Sequence, residues 1–254
     1  MKNAIGSSLV LSALLISLSI SGTAKAETFN VAVAANFLKP ATQIASLYEK
    51  STGHKTVISA GASGKLYAQI ANGAPFHVFL SADRAMVEKL MGAGLGEKST
   101  AFPYALGRLA LYSSTPGFVD GAGDVLKKGN FAHIAMADSK LAPYGVAARQ
   151  VMERLGVMER LKPKIVTGES IGQTYQFVSS GAAQLGFVAM SQLKESWPPA
   201  GSYWLIPHDM HDPIEQWAVL TSGGKGSPAA KGFLEFVRGP EGRKIIGNFG
   251  YGLP

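Results

Sequence analysis

Apolar positions along the chain alternate between short unbroken runs and stretches whose period is close to 3.6 residues, the pattern of buried strands feeding amphipathic helices. Thr28–Ala34 (TFNVAVA) predicts a first strand, with Ala35, Asn36, Phe37 and Leu38 following at its C-terminal end. Pro40 suits the first turn of a helix, and Ile44, Leu47 and Tyr48 keep helical spacing until Gly53 stops it. Residues 54–58 predict a second strand, and 59–66 (SAGASGKL) a turn of small residues into a helix carrying Leu66, Ile70 and Ala71. Ser63 stands where that helix would take its N-cap. A third strand over 77–81 and a helix over 84–91 complete a βαβαβα order, which implies a parallel sheet with right-handed crossovers.

After Pro103 the order changes. Strands are expected over 108–113, Ile134–Ala137, 164–166 and 186–189, with a loop and short helix over 117–129. Helices are expected from Pro143, Tyr144 and Gly145 through Leu155, and from Ser170, Ile171 and Gly172 through Val178. This is a second α/β unit. Residues 206–212 read as a loop, 217–220 as a strand, 229–237 as an amphipathic helix, and Pro240 opens a last helix. Those final helices have no sheet of their own, so the economical solution packs them back on the first unit. The expected division is a discontinuous first lobe, 27–107 with 216–254, and a second lobe, 108–215, joined by two crossings.

The N-terminus stands outside this scheme. Lys2, the apolar run from Leu9 to Ile20 and the small-x-small triplet Ala24-Lys25-Ala26 form an export signal, so residues 1–26 are expected to be cleaved. The run is too short and too rich in serine for a spanning helix. The chain has no cysteine, which excludes disulfides, thiol catalysis and cysteine-based metal sites. Its net charge of +7 is dispersed rather than clustered among aromatics, an argument against a nucleic-acid partner.

Catalytic patterns are incomplete. Residues 61–65 lack the glycine and the Ser/Thr that a P-loop needs at Ser59 and Leu66, and Lys65 stands where a nucleophile elbow needs glycine. Ser191-Gln192-Leu193-Lys194 matches S-x-x-K without the S-D-N and K-T-G partners that would make it a hydrolase signature. His208, Asp209, His211 and Asp212 are the densest group of metal-ligand types, yet their place between two lobes favours a hydrogen-bonded crossover loop. Met86, Met91, Met152 and Met158 fall at helical core positions.

Four strand-to-helix turns remain, bearing Ala35-Asn36, Gly61-Ala62-Ser63, Pro143-Tyr144-Gly145 and Ser170-Ile171-Gly172. Each offers backbone N–H groups at a helix N-terminus, and together they add an amide and hydroxyls. Such neutral donors suit a dehydrated oxyanion, which the helix dipoles stabilise without an ion pair.

The segments VAVAANFLKPATQIA, GASGKLYAQIANGAPFHVFLSAD, ADSKLAPYGVAARQVM, GFVAMSQL, PIEQWAVL and GPEGRKIIGNFGYGLP resemble the periplasmic molybdate-binding proteins of ABC transporters. The resemblance runs over essentially the whole chain after the export signal. It implies an α/β, two-lobe type II periplasmic binding protein, each lobe a mixed, mostly parallel sheet flanked by helices, with the ligand cleft between lobes. It also implies a periplasmic monomer without catalytic activity or cofactor, which captures molybdate or tungstate and delivers it to a membrane permease. Ala35, Asn36 and Ser63 would contact the oxyanion from the first lobe, and Tyr144 and the backbone of Ile171 from the second; molybdenum would be held only as the oxyanion. Many members carry a ligand-contacting tyrosine at the strand end occupied here by Ala189, whereas this chain has Tyr144 where those members have a small residue. The competing expectations are a receptor for sulfate or another tetrahedral oxyanion, and a serine hydrolase using Ser63 or Ser191.

Overall fold

A computed structural model describes residues 26–254; apart from Ala26, the export-signal reading lies outside them. The first half of the chain runs β1 (Thr28–Ala34), α1 (Leu38–Thr52), β2 (Lys55–Gly61), α2 (Ser63–Ala71), β3 (Val78–Ser81), α3 (Arg84–Gly92) and β4 (Phe102–Gly107). A single 3-10 turn over Ala35–Phe37 links β1 to α1. Then follow β5 (Leu109–Ser113), α4 (Asp124–Lys128), β6 (Ile134–Ala137), α5 (Pro143–Arg154), α6 (Met158–Leu161), β7 (Ile165–Gly168), α7 (Ile171–Ser179), β8 (Leu185–Ala189), α8 (Met190–Leu193) and β9 (Ser202–Leu205). The chain ends with β10 (Ile214–Leu220), α9 (Pro228–Arg238) and α10 (Pro240–Asn248). Among the described residues no helix is long and apolar enough to cross a membrane.

Two five-stranded sheets result, in the orders β2-β1-β3-β10-β4 and β7-β6-β8-β5-β9. In the first, β1 is parallel to β2 and β3, and β10 enters antiparallel beside β3. In the second, β6 is parallel to β7 and β8, and β5 is antiparallel to β8. Each sheet with its helices is a lobe, and the lobes are the mixed, mostly parallel layers the sequence predicts. The chain crosses between them twice, at Arg108 and again in the segment before Ile214.

Helices α9 and α10 pack against β1 and α1 of the first lobe. Phe233, Leu234, Val237, Ile245 and Ile246 share a core with Phe29, Val31, Ile44 and Tyr48. The Tyr48 hydroxyl donates to the Ala229 carbonyl at 2.8 Å, tying α1 to α9. Gly53 closes α1 at φ 77°, a left-handed conformation that glycine adopts without a Cβ penalty.

Three local expectations need correction. β2 does not stop at Ile58: its parallel register with β1 continues to the pair Ala34–Gly61, so Ser59, Ala60 and Gly61 are strand. The residue capping α2 is therefore Ala62, Ser63 is the first residue inside the helix, and its side chain does not cap. The edge strands β4 and β9 were not anticipated. β4 contains Pro103, which has no N–H for a ladder; it is tolerated at the sheet edge, where the pairing with β10 shifts register between Gln216 and Trp217.

Candidate functional site

The C-terminal ends of the parallel strands of both sheets point into the cleft, and helices begin where they end. Ala34, Ala62 and Ala82 from the first lobe share one packed cluster with Ala142, Tyr144, Ile171 and Ala189 from the second. Small residues at these ends let two backbones approach. The N–H of Gly64, in the first turn of α2, donates across the cleft to the Leu141 carbonyl at 3.0 Å. A Cβ on Gly172, in the first turn of α7, would lie 3.4 Å from the Ala35 Cβ. The first turns of α2, α5 and α7 and of the 3-10 turn at Ala35 thus converge from both lobes. Their first N–H groups have no partner within their own helices, and the helix dipoles add positive potential there. Beside this convergence lies a cleft of ≈ 440 Å³ lined by Gly64, Asp83, Leu141, Pro143, Gln150 and Ile214.

A buried polar network underlies it, and its hydrogen-bond directions can be read from one fixed point. The Asn36 carbonyl can only accept; it receives the Tyr251 hydroxyl at 2.7 Å and the Ser191 hydroxyl at 2.8 Å. Tyr251 has one proton, so towards the Asn36 side chain its oxygen is an acceptor, and the amide atom 2.9 Å away is Nδ2. Asn36 Nδ2 also donates to Gln216 Oε1 at 2.8 Å, which additionally accepts the Tyr104 hydroxyl at 3.0 Å. Gln216 Nε2 then faces the Tyr144 oxygen at 3.2 Å. Every partner is neutral. Burial pushes the Tyr144, Tyr104 and Tyr251 hydroxyls well above the usual phenol value, Tyr251 adding to the effect at the other two, so all three stay protonated. The nearby cation Lys65 is already paired, 2.6 Å from Glu169 across the cleft.

Each residue named from the sequence has a definite place here. Ala35 packs against α7 at the lobe boundary. Asn36 is buried, but both its side-chain N–H groups are committed to Gln216 and Tyr251, and its Oδ1 is left without a partner. What Asn36 can offer a ligand is its backbone N–H, a change from the amide donor expected of it. Ser63 is buried, and its Oγ accepts the Ala82 N–H at 2.9 Å, leaving the hydroxyl proton available. Tyr144 lies in the first turn of α5, and Ile171 is the first residue of α7, directly after the capping Ser170. The Ile171 carbonyl accepts from Gln192 Nε2 at 3.0 Å, while Gln192 Oε1 receives the Ala189 N–H at 2.9 Å. The strand end at Ala189 is thus held by an amide side chain.

Gln216, Tyr104 and Tyr251 escaped the sequence reading as site residues, and Ser191 entered it only as a candidate nucleophile. A signal existed for Gln216, a fully buried polar residue on a strand whose other buried positions are apolar. For Tyr104 none did, because its strand was not anticipated. In the crossover, His211 is buried and its Nδ1 lies 2.7 Å from the Asp212 carbonyl, while Asp212 bonds Gln150 of α5. Burial lowers the His211 pKa.

Comparison with known proteins sets this geometry in a family. The model for bacterial extracellular solute-binding proteins matches residues 29–252. The molybdate-binding protein ModA of Azotobacter vinelandii is 48% identical over 231 residues, 91% of this chain and 92% of that protein. ModA of Rhodobacter capsulatus is 48% identical over 222 residues, 87% of this chain and 86% of that protein. The solved structure of the Azotobacter vinelandii periplasmic molybdate-binding protein superposes with a TM-score of 0.86 at 42% identity, over 89% of this chain and 99% of that one. The chain belongs to the bacterial extracellular solute-binding proteins, in the family of the molybdate-binding ModA proteins.

Proposed function

We propose that this protein captures molybdate, and tungstate of nearly the same size and charge, in the cleft between its lobes and delivers it to the permease of an ABC transporter. The observation that carries this is the convergence of helix first turns from both lobes on a buried network of neutral side chains. The donors are the backbone N–H groups of Ala35, Asn36 and Ile171, the Ser63 hydroxyl and N–H, and the Tyr144 hydroxyl. Fixed dipoles can hold a dehydrated dianion where a flexible cation is not required. The ModA relatives carry the name of the same ligand. Tyr144 takes the place of the tyrosine that many relatives position at Ala189, so the count of donors is kept.

In this reading the molecule is a monomeric, periplasmic binding protein with neither cofactor nor catalytic task. Ser191 supports that: its hydroxyl is spent on the Asn36 carbonyl, and among the described residues no histidine hydrogen-bonds to it as a base. The lobes are 27–107 with 216–254, and 108–215. The antiparallel pairing of β10 with β3 and β4 supports the return to lobe 1, Ile214 and Glu215 already pairing with Gly107 and Leu106. Titration calorimetry with molybdate, tungstate, sulfate and phosphate tests the function. Molybdate and tungstate should give matching saturable heats and sulfate a far weaker one. Equal affinity for sulfate would make the protein a general tetrahedral-oxyanion receptor, and ester turnover would make it a hydrolase.

A further inference from the structure

We propose that Gln216 is a positioning residue that fixes the direction of the Tyr144 hydroxyl, making it an obligatory donor to the bound oxyanion; this rests on the oxyanion reading of the cleft.

The direction follows from proton counting along the buried chain. The Asn36 carbonyl consumes the Tyr251 proton, so Asn36 must present Nδ2, not Oδ1, to Tyr251 and Gln216. A donor at that point requires Gln216 to answer with Oε1, and the Tyr104 hydroxyl, 3.0 Å from Oε1 and 3.2 Å from the Ser81 carbonyl, is compatible with that assignment. The planar amide then has no choice at its other end: Nε2 points at the Tyr144 oxygen. Tyr144 therefore accepts a hydrogen bond from the protein. Among the described residues the Tyr144 hydroxyl donates no hydrogen bond of good geometry, and the Tyr251 oxygen beside it already accepts from Asn36 Nδ2, so the Tyr144 proton still lacks a full acceptor. An oxyanion oxygen supplies it. Reversing the amide would put Nε2 against Asn36 Nδ2, two donors facing each other in a dry interior, at the cost of unsatisfied groups.

Two features keep the relay rigid. Gln216 is fully buried on β10, which is paired on both sides by β3 and β4. Gly107, where the chain crosses between lobes, leaves no room for retreat: a Cβ there would strike the Tyr144 hydroxyl and lie 2.9 Å from Gln216 Nε2. Gln216 thus belongs to lobe 1 yet directs a donor that lobe 2 contributes, so the relay is complete only when the lobes are together.

The test is a double-mutant cycle on the full chain, with Gln216→Met and Tyr144→Phe, read by calorimetric titration with molybdate and by thermal melting. The single variants should each weaken molybdate binding about tenfold or more, the effect of losing one hydrogen bond to a charged group. In the Tyr144→Phe background, Gln216→Met should cost less than about twofold, because the group it directs is gone. An equal loss in both backgrounds would show a packing role only and overturn the proposal. Gln216→Glu should weaken binding further than Gln216→Met, since a carboxylate there accepts the Tyr144 proton; a weaker effect than that of methionine counts against it. Should these variants fail to fold, hydroxyl-proton NMR on the unaltered chain decides, the Tyr144 resonance moving downfield on addition of molybdate. A resonance unmoved under saturation overturns the relay. Failure of the unaltered chain to bind molybdate would instead overturn the function on which the proposal stands.

Discussion

Ser63 shows how one hydroxyl can serve two masters. Its oxygen accepts the buried Ala82 N–H at 2.9 Å, so its proton is the part left over for a ligand. Ser63→Ala should therefore do two things at once. Molybdate affinity should fall by about 1–3 kcal/mol for the lost bond to an anion, and unfolding free energy by about 1–2 kcal/mol for the orphaned Ala82 N–H. Calorimetry and denaturant unfolding read these separately; unchanged affinity with lowered stability would leave Ser63 a purely structural residue. At this scale the sequence was a partial guide. It places Ser63 at a helix start but makes it the cap, because small residues on both sides hide where β2 ends. The register with β1 decides that, and register is a property of two segments rather than one. Asn36 and Tyr144 are legible as polar residues on strand-to-helix turns. Their hydrogen-bond directions are not, since they depend on Gln216 and Tyr251, 180 and 215 residues from Asn36.

Among the elements, those with uninterrupted periodicity were readable and those defined by pairing were not. β1 and β6 match expectation to the residue, and α1 ends at the predicted glycine. β4 and β9 are edge strands whose sequences, FPYALG and SYWL, carry a proline in one case and no clear alternation in the other. A third helix start does carry a readable cap. Asp83 caps α3 by accepting the Met86 N–H at 2.6 Å, yet burial raises its carboxyl above the usual range despite that bond. The sign follows directly. Between the ordinary carboxylate value and the raised one the native state holds more of the proton than the unfolded chain does. Stability contributed by this group is present below the ordinary value and falls as pH rises through that window. Asp83→Asn keeps the acceptor without the charge, so its stability should show no such fall and should equal or exceed that of the parent at neutral pH. Asp83→Ala should lose about 0.5–2 kcal/mol with the cap. Denaturant midpoints from acid to neutral pH check both, and parallel curves for Asp83→Asn and the parent would locate the titration elsewhere.

Over the whole molecule, the lobes stand shut in this structure. The Gly64 N–H reaches the Leu141 carbonyl, Lys65 reaches Glu169, and Ser191 reaches the Asn36 carbonyl, all across the boundary. The exposed pair Lys65–Glu169 is worth little by itself, at most about 1 kcal/mol. The backbone bond at Gly64 matters more, because it demands contact: a Cβ there would sit 3.2 Å from the Leu141 carbonyl oxygen. Two short crossings between lobes permit a hinge, and a ligand that touches both lobes binds the shut form better than an open one, shifting the population towards it. Molybdate should then reduce the radius of gyration measured by solution scattering. Gly64→Val separates closure from local contacts, for it keeps the N–H that a ligand or Leu141 could use while wedging the two backbones apart. The variant should fold normally and show a smaller ligand-induced contraction. Its affinity should be lower, although every proposed donor side chain remains. Full contraction and unchanged affinity in Gly64→Val would mean that the Gly64–Leu141 approach is incidental to closure. Identical scattering of the parent with and without ligand would mean that the protein binds without a hinge motion, and the enclosure of the oxyanion would have to arise from a cleft already shut.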